Sequence, residues 1–262
     1  MKKAIVVLAG LSLLSTSGYL SGQVIADFES YTTPTSSGSV MFLQPSFSGS
    51  TGSKLDASPN STTVESEGIP LGNPNVGNNA LFVTFSFLDT NPTPLWLRLT
   101  TFNAANQGNP TISLTPGSSL QFDIHSDTPL FVTTLVRETE TDAAIGANGG
   151  AANGIEFVGG NPTTTTGKAV EANTWTTLVF DFGSDPVFAF AGTTADGILD
   201  PGVDGKGVLE ALGIAVASGT IGDINIWLDN FEVIVVPEPS TIALSLLGGL
   251  GLIFVTHRRR KA

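Results

Sequence analysis

Cysteine is absent from these 262 residues, histidine occurs twice, and lysine and arginine total 11 against 23 acidic residues. The missing cysteine excludes disulfides and thiolate metal sites, so the fold rests on its core or on cations held by oxygen. Nucleophilic catalysis has little to work with: His125 is the one histidine outside the C-terminal segment, and no serine sits in a Gly-x-Ser-x-Gly turn. Helical periodicity is almost missing from the interior of the chain. Basic residues are scarcest between 23 and 236, where Lys54, Arg98, Arg137, Lys168 and Lys206 face 22 acidic residues, a formal charge near −17. Such a surface repels nucleic acid and anionic polymers, and leaves neutral polysaccharide and divalent cations as partners.

Long apolar runs occur only at the two ends. Lys2 and Lys3 precede an apolar stretch, 4–14, and a small-residue region, 15–18. That order reads as a secretory signal peptide, 1–22, with cleavage between Ser17 and Gly22. At the other end, 241–255 (TIALSLLGGLGLIFV) carries no charge, and His257, Arg258, Arg259, Arg260 and Lys261 follow at once. A helix of about 15 residues at 1.5 Å each is about 22 Å long, short of the roughly 30 Å hydrocarbon core. It spans with Ser240 and Thr256 drawn in or with local thinning, as a single transmembrane helix at 241–256 whose basic tail, 257–262, stays cytoplasmic. Consecutive cations at its end argue against the alternative, a buried core helix. Gly248, Gly249 and Gly251 soften the helix and suit it to transient anchorage.

Val236-Pro237-Glu238-Pro239-Ser240, the apolar helix and the arginine-rich tail together resemble the PEP-CTERM sorting signal of Gram-negative, exopolysaccharide-producing bacteria. The resemblance covers 237–262. It implies export through the inner membrane, a transient anchor there, and processing near Pro237, Glu238 and Pro239 by an exosortase, a membrane-embedded transpeptidase-like protease. The cell surface or extracellular matrix is then the destination. Nothing in the resemblance bears on the activity of 23–236.

That body, about 214 residues, is long enough for one large β domain. Alternation of Thr, Val, Phe and Ile between clusters of Gly, Asn, Pro and Ser predicts strands near 24–30, 80–88, 95–102, 119–125, 130–137, 154–158, 175–182, 209–217 and 224–235. In 120–125, Leu120, Phe122 and Ile124 share one face and Gln121, Asp123 and His125 the other; Leu178, Phe180 and Phe182 share a face opposite Trp175, Thr177 and Asp181. The expectation is an all-β sandwich in which each sheet has one dry side. The stretches 36–66, 146–154, 161–167 and 191–207 read as loops, and 207–212 as the only short helix, ended by Gly213.

An opening Ile25-Ala26-Asp27-Phe28-Glu29, a middle run from Thr174 through Trp175 to Asp181, and a closing run from Ile224 through Trp227 and Asp229 to Glu232 resemble the jelly-roll modules of the galactose-binding-like class. Many of those modules bind carbohydrate. The resemblance implies a jelly roll and a structural calcium where first and last strands lie side by side, with Glu29 and Asp229, and Asp27 beside them, at the matching positions. Hard oxygen ligands suit Ca²⁺ in a cysteine-free protein; the alternative is a solvated sheet edge.

Three other constellations were candidates for chemistry. Asp196, Asp200 and Asp204 lie in a Gly-rich stretch able to wrap a cation, without the alternate-residue spacing of an EF-hand loop, and read as a solvated turn. Glu138, Glu140 and Asp142 alternate as a glycosidase pair would, but their Thr, Gly, Ala and Asn neighbours supply nothing to raise a pKa, so they read as a solvated strand end. Asp123 and His125 read as a surface pair. Trp96, Trp175 and Trp227 occupy the less apolar faces of their strands, and sugar rings stack on exposed indoles. Trp96 and Trp175 are therefore the candidate carbohydrate-binding residues, the alternative being that these tryptophans cap the core or lie under loops, and an enzyme is disfavoured. The expectation is a non-catalytic exported envelope or matrix protein that binds glycan; the alternatives are a polysaccharide-degrading enzyme or a purely structural surface protein.

Overall fold

The computed structural model describes residues 21–36, 40–74, 77–88, 94–101, 109–138, 154–200, 205–217, 220 and 222–235. The apolar stretch near the N-terminus, the Pro-Glu-Pro motif, the stretch 241–256 expected to form a transmembrane helix, and the basic tail all lie outside the described residues. Among the described residues no helix is long and apolar enough to cross a membrane.

Among the described residues fourteen strands make the body: β1 (Ser21–Ala26), β2 (Thr35–Ser36), β3 (Leu55–Glu65), β4 (Ala80–Phe87), β5 (Leu95–Thr100), β6 (Thr111–Ser113), β7 (Ser118–Ser126), β8 (Leu130–Glu138), β9 (Ile155–Val158), β10 (Lys168–Val170), β11 (Thr176–Asp181), β12 (Val187–Ala191), β13 (Lys206–Val216) and β14 (Asp223–Val235). They form two seven-stranded antiparallel sheets. Sheet I runs β11-β7-β14-β4-β3-β2, with β1 on β14; sheet II runs β12-β9-β8-β13-β5, with β10 on β8 and β6 on β13. Long β14 pairs with β4 through Asp223–Leu228 and with β1 beyond it, so first and last strands lie side by side. This is the all-β sandwich the alternating pattern predicts, with the jelly-roll arrangement that the resemblance implies.

Between the sheets, Phe122 stacks on Phe180 at 5.8 Å and on Phe231 at 4.5 Å, with Phe28, Phe42, Phe85 and Leu97 buried around them. Each fully buried side chain of this size contributes about 1.5–3 kcal/mol of transfer free energy. No disulfide is needed to hold the layers.

Three expectations need correction. The segment 36–66 contains β3, an 11-residue strand whose polar run was read as loop. It belongs to the outer part of sheet I, and only Leu55, Thr62 and Val64 along it are buried, so polar residues face solvent along most of its length. The helix read at 207–212 is the start of β13, buried on both faces except at Lys206. A continuous apolar run of that kind has no strand period to show. Sheet II also lacks the expected wet side: Trp96, Leu135, Ile155, Phe157, Ala211 and Ala215 form a second apolar cluster on its outer face, with Phe131 and Phe190 against it. The short turn Pro162–Thr164, capped by Asn161 Oδ1 accepting from Thr163 N, packs over this face. Gly213 permits that approach, since a Cβ there would lie 2.9 Å from Pro162 Cγ.

Candidate functional site

The register of sheet I lines up aromatic rings across four neighbouring strands. Trp227 on β14 faces His125 on β7 on one side and Phe82 on β4 on the other. Trp175, just before β11, falls beside His125, because Thr176 pairs with Ile124. Ring centroids are 5.6 Å apart for Trp175 and His125, 5.4 Å for His125 and Trp227, and 5.0 Å for Trp227 and Phe82, a spacing set by the interstrand distance. The two tryptophans and Phe82 are half-buried, and His125 is buried between them. Trp175 Nε1 donates to Pro70 O at 2.9 Å, which fixes that indole. His125 Nδ1 and Trp227 Nε1 are enclosed and have no hydrogen-bond partner, a cost few native groups carry. Burial lowers the His125 pKa, against Asp127 and a main-chain bond at Asn173, and favours the neutral ring.

This row was only partly legible. Trp175 was singled out, but Trp227 and Phe82 become its companions through register, which a single sequence does not specify. Asp123 and His125 are no surface pair: both are buried, and Asp123 accepts from Thr177 Oγ1 at 2.5 Å and from Asn230 Nδ2 at 3.0 Å.

Trp96 lies on the other sheet and is 5% exposed, edge-on to Phe157 at 5.9 Å and to Phe190 at 5.7 Å. The expectation of an exposed stacking surface there is corrected: Phe190 and its neighbours cover the indole. Beside it, buried Glu210 is held by Arg98 at 2.5 Å and Arg137 at 3.2 Å. Burial lowers the Arg98 pKa although Glu210 opposes the shift. This charge trio is packed into the sheet's covered face.

The first and last strands do bring Glu29 and Asp229 together. A Cβ on Gly77 would sit 2.4 Å from Glu29 Oε1 and 3.5 Å from Asp229 Oδ2, so a glycine leaves a small cradle at both carboxylates. Asp229 is fully buried, and burial, with Glu29 and Asp123 adding to it, pushes its pKa up to about 6. It accepts from Asn73 Nδ2 and Asn230 N, both at 2.8 Å, while Asn79 N donates to Glu29 Oε1 at 3.0 Å. Phe28 and Asn230, flanking the two acids, have φ of 58° and 53°, a left-handed geometry that costs a non-glycine residue about 1–3 kcal/mol and aims the neighbouring side chains. The alternative of a wholly solvated edge is corrected for Asp229. Asp27 Oδ1 accepts from Glu29 N at 3.2 Å and so serves the local turn.

Glu138 is not on a solvated strand end either. It is 4% exposed at the end of β8, and burial raises its pKa to about 8, contrary to the expectation that nothing nearby would do so. Glu140, Asp142 and Asp204 lie outside the described residues.

A family model described as the PEP-CTERM protein-sorting motif matches residues 235–261. The chain thus carries an exosortase sorting signal and is exported to the cell surface or beyond. No curated protein matches the chain. Among solved structures it is similar to the family 11 carbohydrate-binding module of a cellulosomal cellulase of Clostridium thermocellum, at 14% identity and a TM-score of 0.40, over 83% of this chain and 96% of that one. It is similar to the family 30 module of another cellulosomal cellulase of that organism, at 14% identity and a TM-score of 0.40, over 82% and 98% of the two chains. A putative sugar-binding protein from Bacteroides thetaiotaomicron is 11% identical, with a TM-score of 0.36, over 82% of this chain and 100% of that one.

Proposed function

We propose that this is a non-catalytic, exosortase-sorted protein of a Gram-negative envelope or exopolysaccharide matrix, whose sandwich binds neutral polysaccharide across the outer face of sheet I. The observation that carries the reading is the row Trp175, His125, Trp227, Phe82. Half-exposed indoles offer faces for the C–H side of sugar rings, and two enclosed ring nitrogens without partners are groups that sugar hydroxyls would satisfy after a small adjustment. Thr84 and Asn225 on the next register row, half-buried, supply polar contacts. The charge near −17 disfavours acidic polymers and nucleic acid.

Hydrolysis is disfavoured by geometry. Two glycosidase carboxyls stand about 5–9 Å apart with the bond between them, whereas the Glu138 and Glu156 carboxyls touch and are sealed from solvent. Trp175→Ala and Trp227→Ala should each weaken retardation in gels containing neutral glucans or galactans about tenfold or more, the usual effect of truncating a central aromatic anchor. Melting should show both variants folded. Unretarded migration of the wild type in every gel would leave the purely structural reading ahead, and sugar release abolished by Glu138→Gln would favour the enzyme.

Calcium at Glu29 and Asp229 belongs to the same proposal. The Gly77 cradle and the Asp229 carboxylate, whose pKa is pushed up to about 6 by burial and further by Glu29 and Asp123, fit a missing divalent charge. The ion would tie the first strand to the last. Glu29→Gln or Asp229→Asn should reduce the EDTA-reversible rise in melting temperature that calcium produces; a rise unchanged in both variants would reject this site.

A further inference from the structure

The loop between β3 and β4 crosses the outward face of sheet I beside the aromatic row. Ile226 and Leu228 point into the core, so Trp227 and Asp229 share the outward face of β14, one register step apart. Pro70 O accepts from Trp175 Nε1 at 2.9 Å, and Asn73 Nδ2 donates to Asp229 Oδ2 at 2.8 Å. The segment from Pro70 to Asn73 therefore runs from Trp175 on one side to β14 on the other and walls the row along its length.

At the crest of this wall Leu71 is 99% exposed, the highest value among the described large hydrophobic residues. A lone exposed leucine is ordinary, but this one is set in an unusual frame. Ile69-Pro70-Leu71 is an apolar run between Ser66-Glu67-Gly68 and Gly72-Asn73, and its foot is bonded to an indole of the row. Gly68 and Gly72 bracket the run with φ of 72° and 91°, and nothing lies within 4 Å of where a Cβ would stand on either. Both are points where the chain turns freely without disturbing packed neighbours. Beyond them the chain is fixed, by the pairing of Glu65 with Ala80 on one side and by Asn73 on Asp229 on the other.

We propose, resting on the reading of the row as a polysaccharide site, that Ile69–Leu71 is a flap hinged at Gly68 and Gly72, and that Leu71 closes over the bound neutral chain. Sugar rings lying on Trp175 and Trp227 offer a second apolar C–H face to solvent, and the leucine covers it. Removing both apolar surfaces from water is the gain that draws the flap down. In the free protein the bond from Trp175 Nε1 to Pro70 O holds the flap beside the indole, poised at the rim of the row. Exposed Glu67 rides on the same arm, and its charge turns away acidic chains while leaving neutral ones unopposed.

The absence of cysteine makes a single-site probe clean. The full chain in detergent, carrying Leu71→Cys labelled with a polarity-sensitive dye, is titrated with soluble neutral glucans and galactans. Dye emission should shift to the blue as the polysaccharide saturates the protein, while the same dye at Ile198→Cys, exposed on the loop after β12, should not respond. Leu71→Ala should weaken retardation in the matching gel about tenfold, the effect of uncovering one buried leucine, and Leu71→Met should restore it. Both variants should melt as the wild type does, because the side chain is exposed in the free protein. If Trp175→Ala and Trp227→Ala weaken binding while Leu71→Ala binds as the wild type and the dye at 71 stays unshifted, the flap is overturned and the polysaccharide reading stands. Wild-type protein that binds none of the polysaccharides would overturn both.

Discussion

Stripped of calcium with EDTA, the protein should melt at a higher temperature at pH 5 than at pH 8. Burial holds Glu138 at about 8 against an ordinary 4.5 and Asp229 at about 6 against 3.8, and it raises Glu156 in the same direction. At low pH these groups are protonated in both the folded and the unfolded chain, and no difference arises. Once pH passes the ordinary values, the unfolded chain releases these protons while the folded chain keeps them, so unfolding becomes easier. The loss builds from 3.8 to about 6 for Asp229 and from 4.5 to about 8 for Glu138, then levels off. Each pKa unit corresponds to about 1.4 kcal/mol, which gives a total of several kcal/mol. For a domain of this size about 1 kcal/mol moves Tm by roughly 2–4 °C, so a fall on the order of 10 °C is expected.

If calcium is held at Glu29 and Asp229 as proposed, it should flatten the Asp229 part of that slope, since it would bind the ionised carboxylates and add about 2.7 kcal/mol at a hundred times its Kd. Glu138→Gln stays neutral at every pH, and its melting in EDTA should lose most of the decline between pH 6 and 8. Scanning calorimetry across pH 5–8 decides the matter. A wild-type Tm that does not fall over that range would mean that these acids ionise in the folded chain without cost.

The parts of this fold legible in the sequence were those with one buried face. Strands β7 and β11 alternate cleanly, and their inward residues Leu120, Phe122, Leu178 and Phe180 are the buried ones. The pairing of first and last strands was implied by the resemblance to jelly-roll modules of the galactose-binding-like class. Where burial is two-sided, as in β13, or mostly one of solvent, as in β3, the period of two disappears and with it the signal. The aromatic row was half visible for a different reason: which strand lies beside β14 depends on long-range register. The contact of Glu138 and Glu156 was invisible for the same reason, compounded by a loop whose main-chain donors, rather than its side chains, cover the carboxyls. Trp96 misled because polar Arg98 on the same face implied solvent, whereas Glu210 neutralises that arginine within a covered face.

Replacing Pro237, Glu238 and Pro239 with alanine should leave the protein in the inner membrane, while the wild type appears outside it with a C-terminus near 236–240. The sorting motif matches 235–261, and the described sandwich ends at Val235, the first residue of that match. Val235, the last residue of β14, pairs with Ser21 on β1 and Ser118 on β7. Cleavage just beyond it would remove the apolar segment and basic tail without taking a residue from either sheet. The released protein should therefore melt as the full chain does in detergent, and the alanine variant should be folded but retained. Ser21 and Gly22 already pair in β1, so signal cleavage as late as Gly22 would trim that strand and lower Tm; a cut before Ser21 would not. Mass spectrometry of both mature termini, with fractionation of wild type and variant, reads all of this at once. An intact 258–262 peptide in the secreted fraction, or an alanine variant released as efficiently as the wild type, would show that the body reaches the surface without processing at Pro-Glu-Pro.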